Sequence, residues 1–280
     1  MESLENVVTA VRVFVWEWGI PLGDSTIPLV VIALIGAGTF LTLRLGFIQL
    51  RHFGHGVAVA TGRYDDPAST GDVSHFQALT TALSATVGIG NIAGVALAIH
   101  WGGPGALVWM WLTAILGMAT KYAEVALSMH YRSVHQDADK VVGTVSGGPM
   151  YYIEHGLGPN WKWMAVFFAA MLGFTAFFTG NAIQANTVAD TAQTAFGVAP
   201  WITGAILVVI VSSVILGGIT RIGRITSILA PLMAAVYVLA ALLIVLMHLG
   251  DVIPAFVTIF SEAFNPTAGV AGTGVGAILV

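Results

Sequence analysis

Ser84, Thr86 and Asn91 place two hydroxyls and a carboxamide in one short stretch that also holds Gly88 and Gly90 and carries no charge. Oxygens of this kind are hard ligands suited to a small cation such as Na⁺. Each glycine lowers helix propensity by about 1 kcal/mol relative to Ala, so Gly88 and Gly90 mark a point where a helix can open. Carbonyls freed there add ligands for a cation, and freed amides can hold a carboxylate, as helix N-termini do. From Val73 to Thr120 there is no Asp, Glu, Lys or Arg, a length that predicts two membrane crossings. An unpaired backbone group costs several kcal/mol in hydrocarbon, so a broken helix survives only against protein, water or a ligand. Such breaks near the midplane are where transporters bind ions and solutes. Close packing is the competing explanation, because Gly90-x-x-x-Gly94 is a small-xxx-small motif that lets helices approach. Spacing alone favours neither.

A second polar group, Thr179, Asn181, Gln184 and Asn186, interrupts an otherwise apolar run. Buried amides are costly in lipid, so they are expected to face the interior of a bundle. There the carbonyl of Gln184 can accept from an amino group. The pattern alone favours residues that merely mark the outer interface. Lys121 and Glu124 stand one turn apart, a spacing that lets them pair. Near the end of a crossing, where Lys snorkels, a structural ion pair is expected before a proton relay. His52-x-x-His55 has no second ligand pair, so no metal site is expected from the histidines. Trp109-Met110-Trp111 reads as a packing stripe near an interface. No nucleophile–base pair or paired carboxylates occur within the apolar spans, so an enzyme is not expected.

The elements that must position these groups follow from composition. With 57% hydrophobic and 9% charged residues, the chain falls far from soluble domains, in which about a quarter are charged. It reads as an all-α, polytopic transmembrane helix bundle. There is no cysteine, hence no disulfide framework, and a net charge of −4 leaves no footprint for nucleic acid. The acidic start, Met1-Glu2-Ser3-Leu4-Glu5-Asn6, is unlike a signal peptide.

Six crossings are predicted: Ile27–Leu43, Phe76–Trp101, Pro104–Met129, Trp163–Ala189, Trp201–Ile219 and Ile225–Leu249. Before them Leu4–Trp18, with Arg12 and Glu17, is expected to lie at the interface. Pro28, Pro104 and Pro200 sit at or before helix starts, where a missing amide is harmless. Arg44, Arg51, Arg63, Arg132, Lys140, Lys162, Arg221 and Arg224, eight of the ten basic residues, fall in loops on one side. Basic loops stay cytoplasmic, which places the N-terminus outside an inner (plasma) membrane. After Gly250 a polar extracellular segment is expected through Asp251 and Glu262 to Pro266. Thr267–Val280 then opens a new Gly-rich apolar run too short to span, so the chain is expected to be the front part of a longer or truncated protein. That run follows five helices after the Gly-rich helix at Phe76, the placing an inverted repeat would give a second broken helix.

Several motifs in order carry a resemblance. They are Thr39-Phe40-Leu41-Thr42-Leu43-Arg44-Leu45-Gly46-Phe47, Ala85-Thr86-Val87-Gly88-Ile89-Gly90-Asn91-Ile92-Ala93-Gly94 and Gly102-Gly103-Pro104-Gly105-Ala106-Leu107-Val108-Trp109-Met110-Trp111. Gly117-Met118-Ala119-Thr120-Lys121-Tyr122-Ala123-Glu124, Gly147-Gly148-Pro149-Met150-Tyr151-Tyr152 and Ile215-Leu216-Gly217-Gly218-Ile219 follow. From about Trp16 onward the chain resembles the alanine or glycine:cation symporter family of prokaryotic amino-acid carriers.

The resemblance implies one single membrane transporter domain of the leucine-transporter-like inverted-repeat fold with its second repeat truncated. Residues 1–75 would hold the interfacial segment, an extra helix and a cytoplasmic loop. Residues 76–250 would form the first five-helix repeat, and 267–280 would begin the second. By similarity Gly88, Ile89, Gly90 and Asn91 would meet a substrate carboxylate and Gln184 its amino group. Ser84, Thr86, Val87 and Asn91 would lie beside Na⁺, the co-transported ion; no organic cofactor is implied. The implied activity is symport of Na⁺ with alanine or glycine across the lipid bilayer by alternating access. H⁺ coupling through Lys121 and Glu124, or a non-transporting membrane sensor or scaffold, are the alternatives. Val108 stands where the family signature usually has Phe, and Ile89 where Thr is expected, which removes a hydroxyl beside the substrate.

Overall fold

A computed structural model describes residues 6–7, 9–11, 13–14, 18–22, 25–65, 73–135, 144–176, 180–265 and 268–273. Arg12, Glu17, Lys140, Thr179 and most of the Thr267–Val280 run lie outside these residues. The chain is mostly helical and divides into two compact units: Met1–Phe53, Gly90–Ala123 and Val238–Val280 in one, Gly54–Ile89 and Glu124–Tyr237 in the other.

In the first unit helical residues 6–7, 9–11 and 13–14 precede a two-stranded antiparallel ribbon, β1 (Gly19–Leu22) on β2 (Ser25–Pro28). Pro28, in extended conformation, then leads into α1 (Leu29–Arg44). Helix α1 meets α6 (Ala106–His130) at Gly38, where a Cβ would come within 3.2 Å of the Leu116 Cβ and carbonyl oxygen. A short α2 (Ile48–Arg51) follows a tight turn, and its Gln49 Nε2 donates to Thr42 Oγ1 (3.3 Å) and to the Ile115 carbonyl (3.4 Å).

Helix α12 (Leu249–Glu262) closes on the start of α6. The Trp109 Nε1–H donates to the Ala263 carbonyl at 2.6 Å, and a Cβ on Gly105 would run into the Glu262 backbone. Trp111 packs on Phe256 and Phe260, with ring centroids 6.5 and 6.3 Å away. The tryptophan stripe therefore faces a helix. The segment after Gly250 is thus helical, a correction to the expected polar stretch. Asp251 and Glu262 lie at its two ends, and Phe256 and Phe260, four apart, share one face.

In the second unit α3 (Phe53–Ala60) precedes α4 (His75–Thr86), which opens on a capping box. The Gln77 amide donates to Ser74 Oγ, and the Ser74 amide donates to Gln77 Oε1, satisfying two otherwise orphan donors. Helix α4 lies against the first turns of α11 (Gly218–Met247). The Thr81 and Thr226 hydroxyls are 3.0 Å apart, and Gly223 is buried, with room for a Cβ only 3.1 Å from Val73 Cγ1. A second ribbon, β3 (Ser133–His135) on β4 (Thr144–Ser146), precedes α7 (Pro149–Leu157). The two ribbons depart from the all-α expectation. Each is a short local hairpin that a window of helical length does not register.

Helices α8 (Lys162–Thr175), α9 (Ala182–Phe196) and α10 (Pro200–Ile215) complete the unit. Over the predicted crossing Trp163–Ala189 the chain forms α8 to Thr175, is π-helical at Ala176 and at Gly180, and forms α9 from Ala182. Helix α9 runs on to Phe196, where Gly197 in left-handed conformation (φ +69°) ends it. Helix α11 begins at Gly218, earlier than the predicted Ile225, and includes Arg221 and Arg224.

Side-chain size is distributed as a bilayer demands. Among the described residues the largest fully buried side chains are Val31 and Thr80, and the core is built of small residues such as Ala98, Ala106, Ala119 and Ala165. Bulky Leu, Val and Phe cover the outside. Where lipid is as apolar as Leu, helices associate through close contact of small residues. Helices α6 and α11 are long and apolar enough to cross a membrane, while α1 and α10 are shorter apolar helices.

Candidate functional site at the interrupted second crossing

The second predicted crossing is broken where its glycines stand. Helix α4 ends at Thr86, and Val87 turns extended (φ −77°, ψ 104°) while its amide still closes the last turn on the Leu83 carbonyl at 2.7 Å. A single tight turn, Ile89–Asn91, follows, and α5 (Ala93–Gly102) resumes the helix. Two half-helices end and begin there, and their terminal carbonyls and amides have no intrahelical partners.

Ser84 and Thr86 are exposed, and their hydroxyls donate back to the Thr81 and Ala82 carbonyls at 2.8 Å each. With the proton so used, the hydroxyl oxygen presents its lone pairs outward, the orientation a cation ligand requires. Val87 is exposed, whereas Gly88, Ile89, Gly90 and Asn91 are half-buried.

Gln184, two residues into α9, comes to this break. A Cβ on Gly88 would stand 2.5 Å from Gln184 Nε2. Gly88 has an ordinary negative φ, so glycine is needed here for the approach of Gln184 rather than for backbone freedom. Asn181, at the start of α9, Gln184 and Asn186 are all exposed, so the amides line open surface of this chain rather than its core. Sequence reading missed the π-helical backbone at Ala176 and Gly180 just ahead of α9. It also missed the Thr81–Thr226 pair, which requires knowing that α4 and α11 are neighbours.

Other candidates are placed elsewhere. Lys121 and Glu124 lie one turn apart on α6, Lys121 exposed and Glu124 half-buried. The Tyr152 phenol on α7 is held above its ordinary range, chiefly by burial and then by the charge of Glu124. His55 packs on Tyr64 with ring centroids 5.1 Å apart. Among the described residues no three His, Cys, Asp or Glu side chains gather as a metal ligand set.

Comparison with known proteins agrees with the motifs. The family model described as the sodium:alanine symporter family matches residues 1–280. The sodium/alanine symporter AgcS of Methanococcus maripaludis is 49% identical over 269 residues, 94% of this chain and 55% of its own length. In Bacillus subtilis, the putative sodium/proton-dependent alanine carrier protein YrbD is 40% identical over 84% of this chain and 46% of its own length. The probable sodium/glutamine symporter GlnT of the same organism is 32% identical over 100% of this chain and 54% of its own. The chain thus spans about half the length of the curated relatives it matches. By the family match over its whole length and its likeness to AgcS, the chain belongs to the sodium:alanine symporter family, a family of membrane proteins.

Proposed function

We propose that this chain forms the first part of a Na⁺-coupled symporter for a small neutral amino acid, working by alternating access in the inner membrane with its N-terminus outside. The observation that carries the reading is the approach of Gln184 to Gly88 beside the interrupted helix. On one side the backbone at Gly88, Ile89, Gly90 and Asn91 would meet the carboxylate of an α-amino acid. On the other, the Gln184 carbonyl would accept from its ammonium. Ser84, Thr86, Val87 and Asn91 would supply oxygens to Na⁺ through side chains and backbone. Residues 76–250 would be the first five-helix repeat and 267–280 the opening of a second.

Ion and substrate each bind one conformation better than the other, so their coupling is a shared shift of one equilibrium. Na⁺ would favour the outward-open state and substrate would then permit closure. Alanine and glycine are the proposed substrates, with Ile89 beside them where the family would place a hydroxyl. The names of AgcS and GlnT leave alanine and glutamine as the substrates to compare first.

Proton coupling is the second reading, favoured by the name of YrbD and by Glu124 within charge range of the Tyr152 phenol. The deciding experiment uses the full-length protein that carries this sequence, reconstituted in proteoliposomes. Radiolabelled alanine uptake is measured with an inward Na⁺ gradient against choline, and with an inward pH gradient alone. Accumulation that requires Na⁺ supports the first reading, and equal accumulation on a pH gradient without Na⁺ moves the coupling to protons. Specific binding without accumulation under either gradient would favour a sensor.

A further inference from the structure

The chain from Ser25 to Tyr64 contains Arg44, Arg51 and Arg63 but no Asp or Glu. At the end of α1 the backbone reverses sharply. The amides of Leu45, Gly46 and Phe47 donate to the carbonyls of Leu41 (2.9 Å), Leu43 (3.1 Å) and Thr42 (2.9 Å). Gly46 (φ +62°) and Phe47 (φ +56°) are both left-handed, a conformation that costs a side chain such as Phe. The turn nevertheless sets Phe47 half in the open, 48% exposed.

Gln49 pins α2 to α1 and α6 on its inner side. The outer side then shows Leu50 at 69% and, one turn further, Phe53 at 68% exposure. Arg51 folds back over the turn: a Cβ on Gly46 would sit 3.1 Å from its Nη1. That brings its charge to the turn two residues beyond Arg44, which lies in the last turn of α1. Among the described residues neither guanidinium has a carboxylate partner.

We propose that the turn between α1 and α2 is a docking site for the headgroup of an anionic phospholipid, held by Arg44 and Arg51, with Phe47, Leu50 and Phe53 lying along its acyl chains. The occupant follows from charge and setting. Two guanidinium groups without a carboxylate partner offer the fork geometry that phosphate oxygens match, and three exposed apolar side chains beside them fit the boundary between headgroup and acyl chain. Basic residues kept at a membrane surface only to orient the chain would need neither the fold-back of Arg51 nor the exposed aromatic turn.

The test is made on the full-length protein in nanodiscs of phosphatidylcholine and phosphatidylglycerol, with co-purified lipid counted by native mass spectrometry. The wild type is expected to retain phosphatidylglycerol in preference to phosphatidylcholine. R44Q/R51Q is expected to lower that preference by roughly tenfold, and each single variant by about threefold. R221Q/R224Q, which removes a basic pair from α11, is expected to leave it intact. Wild-type preference in both single variants overturns the proposal. So does an equal loss in R221Q/R224Q, which would mean that net charge alone selects the lipid. The single variants decide the matter should the double variant fail to purify.

Discussion

Gly88 and Gln184 meet: a Cβ placed on Gly88 would stand 2.5 Å from the Gln184 Nε2. The neighbour is the far end of a flexible side chain and the Gly88 φ is not positive, so Gly88→Ala is expected to fold and to push the amide aside. Substrate affinity should then fall by about tenfold, the loss of roughly one hydrogen bond to a charged group. Gln184→Ala should weaken affinity by a similar factor, and the double variant little more, since both remove one contact. Radiolabelled alanine binding at saturating Na⁺ measures all three. Wild-type affinity in Gln184→Ala would remove Gln184 from the site.

Asn91 ends the tight turn that joins the two half-helices. Asn91→Ala is expected to raise the Na⁺ concentration for half-maximal alanine binding by about tenfold, the scale of one lost charge-assisted contact. Titrating Na⁺ at fixed alanine tests this, and an unchanged Na⁺ dependence would count against Asn91 as a ligand.

Gly105 bears on stability rather than on the site. Its missing Cβ leaves room for the Glu262 backbone, and backbone cannot swing away as a side chain can. Gly105→Ala is therefore expected to undock α12 or to cost about 2 kcal/mol by overpacking. Thermal unfolding in detergent reads the cost, and limited proteolysis between Gly250 and Asn265 reads the undocking. Gly54→Ala, at an open position where a Cβ meets nothing within 4 Å, serves as the control.

The Glu154–Lys162 pair, 2.9 Å apart and exposed, predicts a shallow pH dependence. Its hydrogen bond with Lys162 holds the Glu154 carboxyl below its ordinary range, and the same bond holds the Lys162 ammonium above its own. A depressed carboxyl contributes stability above its unfolded pKa and loses it as pH falls through the folded value. A raised ammonium contributes below its unfolded pKa and loses it as pH rises through the folded value. The pair's contribution is thus level at neutral pH and lost in acid below the usual Glu range, about 4.3, and in strong alkali. Lys162→Gln should leave neutral-pH unfolding nearly unchanged and remove the acid-side slope that belongs to Glu154. Melting temperatures from pH 3 to 7 would show it.

What the sequence determined by itself rests on local chemistry. The uncharged run from Val73 to Thr120, with Gly88 and Gly90 inside it, marked the interruption between α4 and α5, because helix propensity acts residue by residue. Pro200 marked a helix start for the same reason. Polarity without periodicity misread the stretch after Gly250, where Phe256 and Phe260 make a helix face between two acidic ends. The ribbon Ser133–His135 with Thr144–Ser146 was too short to leave a pattern.

Tertiary structure decided what lies far apart along the chain. Gly88 and Gln184 are brought together where the first turn of α9 reaches the backbone just past α4. Thr81 and Thr226 meet only because Gly223 lets α4 and α11 approach. Composition gave the oxygens and amides that could bind; which of them converge depends on backbone contacts that small residues permit and that no single stretch of sequence encodes.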